Sequence, residues 1–504
     1  MKIIVQAGGT GSRMGDLTVN KPKALVSVNG APILFHLFSK YPDADFIIIC
    51  DYKKDVIARY LETFAKNFHY MLLSTTDKGN VAGIKDAVLF VEENEPFMII
   101  WSDIILGADF VLSNFPHGCQ VGLANIPSRW SLKGGKLYNS FSEGLGVAGV
   151  WVFDNKSWFS DCPSGGSFTK WLQQKDIPLY PLLLKNSQDV GTLELYNNAT
   201  SKDEIRSRPY NKIRIIGDKV QKIGINTDAN ILIQNEARWY NYLSKFNFRH
   251  MPKIYNDSPL VLEKLNAKNL FKLSLTDYEK KKIIDNIISI LKKMHSYEEK
   301  NANNIDVYTE YFVKTIRRLQ AVSHAVPFSS HKRILINGTE CINVLQSPEI
   351  LEKYVKDNLL NISHYGIIHG DPQLTNTMVD EQNNIFYIDP RGYFGRSKIF
   401  GDVRYDWAKL YFSIAGNFDQ FNIKNFKLHI SDNKVDFQIA SNNWEFLMPY
   451  FLAKIKPCSE KEIELIQIII WLSMAAVAWE DFDSMCVAFY NGNYLFTKWV
   501  QKYG

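Results

Sequence analysis

The polar residues with the clearest chemical potential lie in residues 369–392, HGDPQLTNTMVDEQNNIFYIDPRG. Asp371 and Asn376 are five apart, and Asp389 follows thirteen residues later, at the end of the β-rich run Ile385-Phe-Tyr-Ile. An apolar run, Tyr365-Gly-Ile-Ile, leads into His369. Moving a phosphoryl group from ATP to a hydroxyl needs one carboxylate to accept the hydroxyl proton. It also needs a neutral oxygen and a second carboxylate to hold Mg2+ against the phosphates. Asp and Asn supply the hard oxygens that Mg2+ prefers, and His does not. A polar loop between two buried strands is the bland alternative. One Asp would leave it favoured; three groups at these spacings between apolar strands do not.

This stretch resembles the catalytic and metal loops of the aminoglycoside phosphotransferase and choline kinase superfamily, H-G-D-x-x-x-x-N followed by an I-D-x-x strand end. The resemblance implies that Asp371 is the catalytic base, that Asn376 and Asp389 are Mg2+ ligands and that His369 braces the loop. No His-Arg-Asp triplet occurs here, which argues against a site of the protein-kinase type.

A second set of groups stands at the start of the chain. Lys2-Ile-Ile-Val-Gln is a short buried-strand candidate, followed by Ala7-Gly-Gly-Thr-Gly-Ser-Arg-Met and Lys21-Pro-Lys-Ala-Leu-Val. A turn with Gly8, Gly9 and Gly11 lets backbone N–H groups approach phosphates. Arg13 and Lys23 add positive charge where a triphosphate is held and pyrophosphate leaves. A plain strand–turn–helix connection explains the glycines alone; it does not explain the arginine and the Pro-Lys pair. The set resembles the signature of nucleotidyltransferases that activate sugar phosphates or phosphocholine, G-G-x-G-x-R followed by P-K-x-L. Lys78-Gly-Asn, a helix expected over Val81–Phe90, the strand Phe97–Trp101 ahead of Asp103, and Gln188-Asp-Val-Gly-Thr-Leu-Glu-Leu-Tyr continue it. The resemblance implies that Asp103 and Asp189 hold Mg2+, with the acceptor bringing its own phosphate as nucleophile. A strand-end cap for Asp103 and a helix N-cap for Asp189 are the structural alternatives.

These groups need elements to position them. Strand–helix alternation after a glycine-rich first turn predicts a doubly wound, mostly parallel, Rossmann-like α/β sheet over residues 1–204, with ligands at the carboxyl ends of its strands. Lys54–Phe68 is an expected helix, and 131–143 an insertion over the acceptor site, with Trp130 a possible acceptor contact. The polar stretch 197–212 reads as the join, placed near residue 205.

Over 205–504 the resemblance implies a bilobal, protein-kinase-like α+β domain, with an N-lobe to about residue 265 and a C-lobe from about 266. Ile213–Ile223 reads as a hairpin with a Gly-Asp turn. Lys222, with Lys219 second, is the expected phosphate-binding lysine. Glu236, on a helix beginning near Asn235, is its expected acidic partner, and backbone from Glu263 to Leu265 is expected to meet adenine. Thr276–His295 shows an apolar helical face. In Gly401-Asp-Val-Arg-Tyr-Asp-Trp-Ala-Lys-Leu, Asp406 resembles the residue that buttresses the catalytic loop. Arg391 and Arg396 are either anion-binding or surface charge. Trp471, Trp479, Phe482, Tyr490 and Tyr494 could box a quaternary ammonium, although core packing is the commoner role, and Glu480, Asp481 and Asp483 could meet hydroxyls or an amine.

Composition sets outer bounds. The 504 residues carry a net charge of +5, too small to imply nucleic acid or a membrane surface. Six scattered cysteines without a C-x-x-C pair suit reduced thiols in the cytoplasm. The N-terminus has no signal-peptide pattern. The run from Ile466 to Trp479 is interrupted by Gln467 and Ser473 and reads as a buried helix, not a membrane span. The expectation is a bifunctional transferase. ATP phosphorylates a small alcohol, choline-like, polyol or sugar, and an NTP, with CTP favoured, converts that phosphate into an activated precursor for surface polysaccharide. The alternatives are one catalytic unit with a regulatory partner, or an antibiotic-modifying kinase with an accessory domain.

Overall fold

The first strand, β1 (Lys2–Gln6), is central because Ile3, Ile4 and Val5 are buried on both faces, as a strand flanked by parallel neighbours requires. It pairs in parallel with β2 (Asp45–Ile49) on one side and β4 (Phe97–Trp101) on the other; β3 (His69–Leu73) extends the β2 edge. β5 (Cys119–Asn125), β6 (Leu145–Phe153) and β7 (Leu179–Leu183) complete a seven-stranded sheet ordered β7-β5-β6-β4-β1-β2-β3. Only β6 runs against its neighbours. The computed structural model describes residues 1–112, 114–142, 144–200 and 211–504, and the chain separates into two compact units, the first built on this sheet. The join expected near residue 205 lies outside the described residues.

Helices α1 (Ile33–Lys40), α2 (Lys54–Phe64) and α3 (Ile84–Val88) punctuate the first half of the sheet, and α4 (Phe168–Gln173) and α5 (Leu193–Ala199) its second half. Two are shorter than expected. The helix from Lys54 ends at Phe64, since a turn over Ala65–Phe68 must reverse the chain into β3. The helix expected over 81–90 starts only after Gly83, whose φ of 75° is left-handed and cannot continue a right-handed helix. Val81, Ile84, Phe97, Ile99, Val121, Trp151, Phe153 and Phe168 form the core on this side. Within 131–143, Ser131–Lys133 and Lys136–Tyr138 form a hairpin through Gly134 and Gly135, both at positive φ as a primed two-residue turn demands. Trp130 is half-buried against the sheet core.

In the second unit, β8 (Asn211–Ile216) and β9 (Lys219–Gly224) form the expected hairpin through Gly217-Asp218. With β10 (Ile254–Asp257) and β11 (Leu260–Glu263) they make an antiparallel sheet ordered β8-β9-β11-β10. Between the pairs lies α6 (Thr227–Ser244), capped by the Asn226 side chain. Glu236 therefore sits mid-helix, not in a first turn near Asn235: the Asn226 cap starts the helix two turns earlier than the apolar pattern indicates. The helix α7 (Asp277–His295) opens with a full capping box, Thr276 with Glu279. Its buried face is Ile283, Ile284, Ile287, Ile288, Leu291 and Met294; Ile290, expected on the same face, is only partly buried. A three-stranded sheet, β12 (Ala267–Asn269), β13 (Thr377–Asp380) and β14 (Ile385–Tyr387), flanks residues 369–376. Three later helices, α8 (Val403–Ile414), α9 (Glu460–Val477) and α10 (Phe482–Tyr503), follow. α9 carries the apolar run that begins at Ile466 as a buried helix, and among the described residues no helix is long and apolar enough to cross a membrane. None of the six cysteines is disulfide-bonded.

Candidate active sites

At the carboxyl end of β1 the chain turns through Gly8 and Gly9 to Gly11, which adopts φ 68°. A Cβ on Gly11 would meet Thr18 Cγ2 at 2.9 Å and Lys23 Cβ at 3.4 Å, so only glycine lets the turn close on the Pro-Lys segment. Of the two lysines in that segment, Lys21 is fully buried and Lys23 crosses to Asp103, its Nζ 2.5 Å from Oδ2. Asp103 follows β4. Beyond it, Ile104–Ile105 pairs with Gln188–Asp189, and the Val190 N–H donates to the Asp103 carbonyl at 2.9 Å. That short ribbon sets the two carboxylates against a common neighbour. A Cβ on Gly191 would lie 2.5 Å from Asp103 Oδ2 and 3.0 Å from Asp189 Oδ1, which explains a glycine there. Asp189 does not cap the following helix α5 (Leu193–Ala199): Thr192 does, accepting from the Leu195 N–H, while Asp189 accepts from the Gly191 N–H at 2.7 Å.

Burial, and then the neighbouring Asp103, push the Asp189 carboxyl up to about 6, against the pull of the Gly191 N–H, Lys23 and Arg13. Arg13 itself is exposed. Asp103 Oδ1 is buried with no hydrogen-bond partner among the described residues. Two nearby carboxylates, one repelled and one with an orphaned oxygen, suit a divalent cation. From an ordinary value of 3.8, a raised folded pKa means that ionising Asp189 works against the fold. Asp189→Asn is expected to stabilise the metal-free first unit at pH 7.5 by on the order of 1–2 kcal/mol. The gain should shrink below about pH 6 and vanish below about pH 4, where the wild-type carboxyl is protonated in both states. Urea unfolding across pH in EDTA measures it, and a variant less stable than wild type at pH 7.5 contradicts it.

Sequence reasoning missed two supports of this turn. Gln6 donates from Nε2 to the carbonyls of Asn80 and Ala82, and its Oε1 accepts from the Gly8 N–H. Asp51 lies against Gly8, where a Cβ would meet its Oδ2 at 2.5 Å. Neither belongs to the glycine motif, and no local pattern marks them.

The second constellation is in the other unit. Lys222 is buried, donates to Glu236 Oε1 at 2.6 Å and also ion-pairs with Asp389. Burial favours a neutral lysine, but Asp389 and Glu236 outweigh it and hold Lys222 charged. Burial lifts Glu236 to about 7 despite Lys222. Lys219 instead lies over the exposed Tyr255 ring, so the two-residue alternation of β9 selects Lys222. Asp389 has φ 58°, a left-handed backbone that costs an L-residue energy and occurs chiefly where a site demands it.

Asp371 is held from four sides. Lys409 ion-pairs with Oδ1 at 2.8 Å, Asn376 and Gln373 donate to Oδ2 at 3.0 and 3.2 Å, and its own N–H donates to His369 Nδ1 at 3.2 Å. Asp406 is fully buried and accepts from the His369 and Gly370 N–H groups at 2.9 and 2.7 Å and from His295 Nε2 at 3.0 Å. Asp406→Ala leaves three buried donors without an acceptor and is expected to destabilise the second unit by about 3 kcal/mol, read by urea unfolding. Lys409 was missed in sequence, although its signal was present: it lies three residues after Asp406 on α8 and shares its face.

Other expectations change. The Glu263 N–H is committed to the Lys253 carbonyl and the Lys264 N–H to that of Asp218, so neither of these two donors is open to adenine. Arg391 is not surface charge; it is buried against Glu310, whereas Arg396 is exposed and pairs with Asp306. Trp471 is buried against Phe412 and Phe421, and the Tyr490 hydroxyl donates to the Pro327 carbonyl, so both are core residues. A cavity of about 400 Å3 lined by Tyr411, Gln438, Glu464, Gln467 and Tyr494 contains one of the candidate rings, Tyr494, and none of the candidate catalytic, nucleotide-binding or metal-holding residues. Among the described residues, no group of three or more His, Cys, Asp and Glu side chains is placed to hold a metal.

Comparison with known proteins bears on the first unit. Glucose-1-phosphate cytidylyltransferase of Salmonella typhimurium is 30% identical over 135 residues, 22% of this chain and 52% of that protein. UTP–glucose-1-phosphate uridylyltransferase AglF of Haloferax volcanii is 31% identical over 114 residues, 22% of this chain and 46% of that protein. The chain thus spans about half the length of these relatives. The solved CTP:phosphocholine cytidylyltransferase of Streptococcus pneumoniae aligns at 19% identity and a TM-score of 0.33, over 39% of this chain and 96% of that one. Residues 3–121 match the MobA-like NTP transferase domain family, so the N-terminal part of the chain carries a domain of that kind.

Proposed function

We propose that the chain is a bifunctional transferase: its second unit phosphorylates a small alcohol or sugar with ATP, and its first attaches the resulting phosphate to a nucleotide, with release of pyrophosphate. The observation that carries the two-step reading is Lys222 joined to both Glu236 and Asp389, in a chain whose residues 3–121 match an NTP transferase family. CTP is the proposed nucleotide, supported by the similarity to a cytidylyltransferase, and the product is a precursor for surface polysaccharide made in the cytoplasm.

In the first unit, backbone N–H groups of the Gly8–Gly11 turn cradle the triphosphate, and Arg13 and Lys23 offset its charge. An oxygen of the acceptor phosphate attacks the α-phosphorus, the bond to the β-phosphate bridge breaks, and pyrophosphate leaves. Asp103 and Asp189 would hold Mg2+. In the second unit, Lys222, kept in place by Glu236, faces the ATP phosphates. Asp371 takes the hydroxyl proton as the alcohol oxygen bonds to the γ-phosphorus and ADP departs. Lys409, Asn376 and Gln373 aim the Asp371 carboxylate, and Asp389 and Asn376 would hold Mg2+. When bound, the metal would offset the charge that builds on the phosphates.

The test is a substrate panel: full-length protein, Mg2+, each NTP, and candidate alcohols with their phosphates, read by ADP and pyrophosphate release. The expected result is ADP with an alcohol, and pyrophosphate with one NTP and the phosphate of that same alcohol. Pyrophosphate from a phosphate whose parent alcohol yields no ADP would overturn the two-step reading.

A further inference from the structure

The cluster around Glu310 takes no part in the chemistry above, yet it adjoins the Asp371 loop. The Arg391 N–H donates to the His369 carbonyl at 2.9 Å, and a Cβ on Gly370 would lie 2.7 Å from Arg391 Cβ. The Arg391 guanidinium stacks 4.1 Å over the Tyr393 ring and donates from Nη2 to Glu310 Oε2 at 2.7 Å. Its Nη1 is buried with no hydrogen-bond partner among the described residues. Lys314, one turn beyond Glu310, ion-pairs with the same carboxylate oxygen, and Arg318 lies one turn further on the same face.

Arg391 and Lys314 therefore share one carboxylate, and Arg318 adds a third cation on the same helix face, without an ion pair of its own to Glu310 among the described residues. The neighbouring carboxylate, Asp306, is engaged by Arg396. Glu310 stays ionised: burial would raise it, but Arg391 and Lys314 hold it down at about 2. Burial, and then Arg391, lower Lys314 well below an ordinary lysine, and burial lowers Arg318. Burying a guanidinium with an unused donor is costly unless a further acceptor arrives. Glu310 also sits on a π-helical turn, Thr309–Val313, an irregularity frequent at functional sites.

We propose that Arg391, Lys314 and Arg318 form a subsite for an anionic group, carboxylate or phosphate, carried by the alcohol that the second unit phosphorylates. This rests on the phosphotransferase reading. A planar guanidinium with a free donor suits a carboxylate or phosphate, whose oxygens it can take pairwise. The same excess positive charge disfavours a quaternary ammonium acceptor, and the burial of Trp471 and Tyr490 in the core removes two of the rings that would have boxed one.

The test compares glycerol, choline, glycerate and glycerol phosphate as acceptors for the full-length protein with MgATP, read by ADP. Each group–anion hydrogen bond is worth enough to separate acidic from neutral acceptors in kcat/KM by about tenfold or more. Lys314→Gln and Arg318→Gln are expected to raise KM for the acidic acceptor by about tenfold, with a smaller change in kcat, and to narrow the acid-to-neutral ratio. Preference for choline or glycerol, or an acid-to-neutral ratio unmoved in both variants, overturns the subsite. If no acceptor yields ADP, the phosphotransferase reading fails, and the subsite is then judged alone by titrating inorganic phosphate and following thermal stabilisation. Saturable stabilisation that both variants lose supports the subsite; stabilisation equal in wild type and variants overturns it. Arg391→Lys, which keeps the charge but loses the paired donors, should bind phosphate more weakly than wild type in the same titration.

Discussion

Asp371→Asn is expected to lower ADP formation by about a thousandfold, the scale of a lost general base. The substitution keeps the shape of the side chain and the donors of Asn376 and Gln373 nearby, but it removes the charge opposite Lys409 and the site that takes the hydroxyl proton. The loss should fall on kcat, since Asp371 is paired with Lys409, while Lys222, Glu236 and Asp389 form the set that faces ATP in the proposed mechanism. Initial rates at saturating MgATP and acceptor measure it, with pyrophosphate release by the first unit as the control for folding. Retention of more than about a tenth of wild-type kcat would remove Asp371 from the role of base.

Asp103→Asn is expected to lower pyrophosphate release by about a hundredfold to a thousandfold, as loss of a metal-holding carboxylate removes several kcal/mol of transition-state stabilisation. Asp103 is the partner of Lys23, so the variant also frees that lysine from its 2.5 Å ion pair. A double variant with Lys23→Met separates the two effects. If Lys23 matters only as the partner of Asp103, the double variant is no worse than the single; if it holds the triphosphate, the losses compound. Steady-state pyrophosphate release with CTP and the acceptor phosphate distinguishes these outcomes, and undiminished release from Asp103→Asn would remove it from the site.

Much of both sites was legible in the chain because their groups are local. The glycines after β1, with Arg13 and Lys23, lie within sixteen residues, Gly8 to Lys23, and Asp371, Asn376 and Asp389 within nineteen. The elements that carry them announce themselves through period: Ile3 to Val5 as a strand buried on both faces, and the apolar face of α7. What misled was local competition. Asn226 caps α6 two turns before the apolar pattern begins, which moves Glu236 to mid-helix. For Asp189 only the structural alternative falls: Thr192 caps α5, and the Asp189 carboxylate accepts from the Gly191 N–H.

By itself, then, the sequence determined the residue types and short spacings of two candidate phosphate-handling sites and the strands and turns that present them, since those depend on backbone periodicity and on where glycine must stand. Only the tertiary structure decided which distant groups meet. It placed Asp103 beside Asp189 through a two-residue ribbon, joined Lys222 to Asp389 as well as to Glu236, set Lys409 on Asp371, and turned Arg391 inward to Glu310. Such pairings arise when packing buries charges that then require partners, and no local pattern in the chain records which partner lies within reach.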